Sequence, residues 1–116
     1  MALRNLTIRG QLANATAVLL AASATKTRYV WWAAFTNNTT GERTFSYAHA
    51  ATATNAGPGT FQERLPPNTS GPASRAVISH GPKGARLDNV AISGFADTAT
   101  SVSYEINYSE SDTLDA

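Results

Sequence analysis

Val102-Ser103-Tyr104-Glu105-Ile106-Asn107-Tyr108 decides the fold. Apolar and polar side chains alternate with a period of two, so one face is apolar and the other polar. That is the pattern of a half-buried β-strand and not of a helix. Arg43, Phe45, Tyr47 and His49 alternate with Thr44, Ser46 and Ala48 in the same way. So do Leu6 and Ile8 with Thr7 and Arg9, and Val90 and Ile92 lead into Gly94-Phe95. Two segments are apolar on both faces, Ala17 to Leu20 and Tyr29 to Phe35. Each reads as a strand buried on two sides, or as one whose outer face meets a partner.

Turn chemistry separates these runs. Asn37-Asn38-Thr39-Thr40-Gly41 predicts a hairpin between the Trp strand and the Phe45 strand. Gly81-Pro82-Lys83-Gly84 predicts a tight turn, and Asp97 to Thr100 joins the last two strands. Longer loops are expected at Ala51 to Thr60 and Pro66 to Pro72, with Phe61 to Leu65 a short strand at most. Turns every eight to twelve residues indicate an all-β chain: a single antiparallel β-sandwich or jelly-roll-like domain. Residues 1–9 are expected as an N-terminal arm or edge strand, 10–108 as the sandwich, and 109–116 as a polar acidic tail.

The chain has 116 residues, enough for one core. Charged residues are only 15%, against about 25% in ordinary domains. Its surface is therefore mostly neutral Thr, Ser, Asn and Ala, which suits packing against other subunits. The net charge is +1 and the basic residues form no run, which argues against nucleic acid as a partner. No cysteine is present, so this chain has no disulfide, thiolate nucleophile or Cys-based zinc site. Ala15 to Ala22 is too short to span a membrane as a helix.

No catalytic constellation is expected. Ser79-His80 with Asp88 has the composition of a triad, but neighbours on a strand point apart. His80 reads as capping a turn, and His49 as ending the strand face of Tyr47. The scattered carboxylates read as turn caps and solvated positions, so no metal and no cofactor are expected. The aromatic residues carry the functional reading. Trp31 and Trp32 are adjacent, so in a strand they must point to opposite faces, one able to lie in the core and the other outside, where an indole marks an interface. Leu6, Ile8, Trp32, Phe61 and Leu65 are the expected partner-interface residues.

In order and spacing, Thr16 to Leu20, the aromatic strand ending Phe35-Thr36-Asn37-Asn38, Arg43 to Tyr47, Leu87 to Ile92 and Val102 to Ile106 resemble small virion proteins of tailed bacteriophages. The resemblance covers residues 15–108 and is one of pattern; many such proteins carry Gly-Asp where this chain has Leu87-Asp88. It implies a decoration (cement) or head-fibre protein on the outer capsid surface, made in the host cytoplasm. Its partners would be the major capsid protein and further copies of itself, often as trimers, with no membrane or nucleic acid involved. A tail or fibre component and a carbohydrate-binding module are the alternatives.

Overall fold

A computed structural model describes residues 3–51, 53 and 60–111. Its strands are β1 Leu3–Gln11, β2 Ala17–Leu20, β3 Arg28–Asn37, β4 Arg43–Ala48, β5 Thr60–Leu65, β6 Arg75–Ser79, β7 Ala85–Leu87, β8 Ile92–Ala96 and β9 Val102–Ser111. All strand pairs are antiparallel. The first sheet has the order β1-β9-β3-β6, with β7 also on β3; the second has the order β2-β8-β4-β5. β6 pairs with Trp32 to Thr36 and β7 with Arg28 to Val30, along the same edge of β3. Counted as one interrupted strand, they bring each sheet to four positions. Apart from the β4–β5 hairpin, the chain then changes sheet at every connection, which is the jelly roll.

The period-two strands fold as their alternation dictates. β9 lies between β1 and β3, with Val102 and Ile106 fully buried on its inner side. Between the sheets, Phe35 of β3 stacks on Phe45 of β4 with ring centroids 4.1 Å apart. Tyr47, Val30 and Ile92 complete this centre, each at 0% exposure. A stacked aromatic pair adds about 1 kcal/mol to what its burial contributes.

Asn37 to Gly41 does not form the expected hairpin, because β3 and β4 belong to different sheets. Asn37 shows why. Fully buried, its amide donates to the carbonyls of Gly41 at 2.8 Å and Pro66 at 2.9 Å, and its Oδ1 accepts from the Thr39 amide at 2.9 Å. The side chain thus ties the crossover to the start of the next connection. Asp97 to Thr100 likewise carries the chain from one sheet to the other.

β2 is an edge strand with Val18 52% exposed, so it is not buried on two sides. Pro66 to Pro72 leads into a 3-10 segment, Asn68–Ser74, interrupted at Gly71 where φ is 65°. β9 continues through Ser111, which places 109–111 in the sandwich rather than in a tail; residues 112–116 lie outside the described residues. Most of the loop expected at Ala51 to Thr60 lies outside them as well.

Candidate interaction surface

Neither tryptophan belongs to the core. Along the β3–β9 ladder Val30 faces Tyr108 and Trp32 faces Asn107, so Trp31 is an extra residue in a bulge. A bulge re-aims side chains and breaks strict alternation. Trp32 shares the outer face of the first sheet with Asn107 and Ser79. Trp31 turns to that face too, where its Nε1 donates to Ser109 Oγ at 2.7 Å. The expected split, one indole in and one out, is therefore replaced by two indoles outside.

The neighbouring strand is built around this bulge. Between β6 and β7 the chain leaves the ladder at residues 80–84, with the His80 amide donating to the Trp31 carbonyl at 3.0 Å. Gly84 then lies against the indole. A Cβ there would come within 2.9 Å of Trp31 Cε3, and its φ of +69° disfavours any side chain. Tyr29 extends the strip, its ring 6.3 Å from that of Trp31 and inclined by 22°. The Arg86 guanidinium lies 6.0 Å from the Tyr29 ring centroid, while its Nε reaches both Asp88 oxygens at 3.0 Å. Val77, opposite Ala34 on the same face, is 57% exposed.

Charge on the first sheet is compensated beside this strip. Arg9 pairs with Glu105 at 2.7 Å, at the rim of a shallow depression of about 340 Å3 that also includes Thr36 and Arg75. At the other end of the sheet, Glu110 is 5% exposed and receives Arg28 at 2.8 Å, Arg4 at 2.9 Å and Lys26 at 3.3 Å. Burial alone would raise its pKa. The hydrogen bonds and charges of Arg28 and Lys26 outweigh that and hold it below the usual carboxylate value.

The five expected interface residues do not meet on one surface. Trp32 is on the outer face. Leu6 and Ile8 lie opposite Tyr108 and Ile106, half-buried against the core. Phe61, 39% exposed, stands on edge strand β5 and stacks on Tyr47 at 5.6 Å. Leu65 is 2% exposed and part of the core, so it offers no surface for contact. Tyr29, Trp31 and Val77 were not among the five. Val77 sits in Ala76-Val77-Ile78, where an all-apolar triplet hides which residue faces out.

His49 and His80 meet at Tyr47. The Tyr47 hydroxyl lies 2.5 Å from His49 Nε2 and 3.1 Å from His80 Nε2, at the side where β5 and β6 are edges. Burial, and then the neighbouring His80, push His49 down to about 4; burial also lowers His80 and raises Tyr47. Ser79 Oγ instead accepts from the Gly81 amide at 3.4 Å, and Asp88 is held by Arg86. Ser79, His80 and Asp88 are thus not joined as a triad. Among the described residues no three His, Asp or Glu side chains gather as metal ligands, and no helix is long and apolar enough to cross a membrane.

These features define a small jelly-roll domain with an aromatic strip on one sheet. No family model matches the chain, and no curated protein matches it in sequence. A solved structure of Bacillus endospore appendages, described as a family of disulfide-linked pili, is similar with a TM-score of 0.50 and 13% identity, over 98% of this chain and 88% of that one. The coat protein of Tobacco streak virus gives a TM-score of 0.47 at 13% identity, over 98% and 89% of the two chains. At these identities the likeness is one of fold.

Proposed function

We propose that this chain is a structural subunit that binds the outer surface of a tailed-phage capsid as a decoration (cement) protein. One observation carries the reading: Trp31, Trp32, Tyr29 and Val77 share the outer face of the first sheet. Partly exposed indoles of this kind anchor protein contacts, because they bury large apolar area with few rotamers lost. Many weak contacts on a symmetric shell then sum through avidity.

Other observations support it. The pili to which the chain is similar in fold are themselves protein assemblies. Arg4, Lys26 and Arg28 converge on Glu110, while Arg9, Arg64 and Arg86 each have an acidic neighbour. That pairing leaves little basic surface for nucleic acid. The virion setting, the host cytoplasm as the place of synthesis and the major capsid protein as partner rest on the order of the segments. The chain acts there as a homo-oligomer.

Purified protein mixed with undecorated expanded capsids should co-sediment with them, and Trp32→Ala should reduce retention at least about tenfold, the loss of one aromatic anchor. Absence of wild-type retention overturns the reading. The near-parallel Tyr29 and Trp31 rings, with Arg86 and Asp88 beside them, favour a carbohydrate-binding module as the second reading. Indole fluorescence that stays flat over a broad glycan panel removes that one. Labelling the protein on particles separates a capsid site from a tail or fibre site.

A further inference from the structure

A jelly roll ends in four strand edges, and here they differ. The β6/β7 edge is interrupted at residues 80–84. β2 has four residues and a register shift between Val18 and Leu20. β5 has six residues, with Gln62, Glu63 and Arg64 exposed along its middle. β1 is nine residues long, free of proline and paired with β9 in unbroken register from Leu3 to Gln11. Its other side pairs with no strand among the described residues. Long, regular edges of this kind are templates for another strand, and proteins that stay monomeric blunt them.

The two sides of the sandwich differ as well. Where β5 and β6 are the edges, Tyr47, His49, Phe61 and His80 pack ring against ring and close the seam. On the β1 and β2 side the seam is lined by Leu6, Ile8, Leu19 and Leu20, all only half-buried. The β1 edge therefore joins open backbone hydrogen-bonding groups to apolar side chains that folding alone does not finish burying.

Charge placement selects the occupant. Residues opposed in an antiparallel pair share a face. Arg4 and Arg9 lie on opposite faces, so two copies of β1 never oppose one to the other. A twofold axis at Thr7 overlaps the entire strand. It sets Leu3 against Gln11, Arg4 against Gly10, Asn5 against Arg9, Leu6 against Ile8, and Thr7 against Thr7. No like charges meet, and Leu6 and Ile8 pair twice on the inner side. Each arginine is already neutralised from β9, Arg4 by Glu110 and Arg9 by Glu105.

We propose that β1 pairs antiparallel with β1 of a second copy about a twofold axis at Thr7, joining two first sheets into one. Such a contact is isologous and closes at two chains, a dimer rather than the trimer implied by the phage resemblance. It shares with the capsid reading the premises that the chain works by contact and that it self-associates, and differs in the order of the assembly.

Light scattering on a sizing column tests it on the intact chain. The wild type should approach twice its 12.2 kDa as concentration rises. Thr7 is exposed on the outer face, where its Oγ1 accepts from Asn107 Nδ2 at 3.2 Å, so Thr7→Asp and Thr7→Lys should each fold, with a loss of about 1 kcal/mol that urea unfolding records. Each places like charges at the axis and should weaken self-association about tenfold. Mixing the two variants should restore the dimer, because the opposed charges become complementary. A wild-type monomer at every concentration, a trimer, or unaltered dimers of both variants would overturn the proposal. Failure of the mixture to dimerise overturns the Thr7 register. Capsid retention of the same variants reports on the capsid reading separately.

Discussion

At Gly84 and Trp31 two residues depend on one another. The bulge brings Trp31 onto the outer face, and Gly84 supplies the left-handed turn and the missing Cβ that let the chain pass over the indole. Gly84→Ala is strained twice, by its φ of +69° and by a 2.9 Å approach to Trp31. Urea unfolding should show a loss of about 2–3 kcal/mol, whereas Gly81→Ala, where no atom lies within 4 Å, should lose only the conformational part. Asn37 and Asn38 give a second contrast. Asn37→Ala removes a fully buried side chain together with its bonds to the carbonyls of Gly41 and Pro66 and from the Thr39 amide, and should lose about 2–4 kcal/mol. Asn38→Ala, at an exposed site, should stay within about 0.5–1 kcal/mol of wild type. Adjacent identical letters thus have different roles, and only the fold distinguishes them.

Among the elements, β4 and the end of β6 meet through Tyr47, His49 and His80. His49 is lowered to about 4 from 6.5 by burial and by His80, which is lowered in the same direction. The groups facing it from the packed elements are Tyr47, Phe61 and His80, and no carboxylate is among them. A depressed histidine favours the neutral form in the folded state. Its stabilising contribution is complete above pH 6.5 and is lost as pH falls toward 4. After allowance for solvent screening at these half-buried rings, unfolding free energy should fall by about 1–2 kcal/mol over that window. His49→Gln should flatten the slope in urea titrations at stepped pH. The lowered Glu110 acts in the same sense but below its ordinary value of 4.5, which separates the two. Strands such as β9 and β4 were legible because alternation is local. The destination of the Asn37 turn was not, since Asn, Thr and Gly specify a reversal without naming the sheet that receives it. The bulge at Trp31 was illegible for a related reason: it is a mismatch with β9 and with the β6–β7 interruption, remote in sequence. That single mismatch is why the site reading found Trp32 but missed Trp31 and Tyr29.

For the whole molecule, the low content of charged residues implied a largely neutral surface, and the structure adds how those charges are spent. Three cations surround Glu110, and Arg9, Arg64 and Arg86 are paired with Glu105, Glu42 and Asp88. On the capsid reading proposed above, the aromatic strip, with Arg9–Glu105 and Arg86–Asp88 paired beside it, would bind through apolar burial rather than long-range attraction. Capsid retention should therefore change less than about threefold between roughly 50 and 500 mM NaCl, over which the Debye length shrinks severalfold. A contact built on basic side chains would lose orders of magnitude over the same range. Arg75→Ala, on the outer face beyond the strip, should alter retention little at either salt concentration, while Trp32→Ala should reduce it equally at both. Sedimentation at the two salt concentrations measures all of these together. A steep salt dependence that disappears in Arg75→Ala would transfer the contact from the indoles to the polar depression around Arg9 and Arg75.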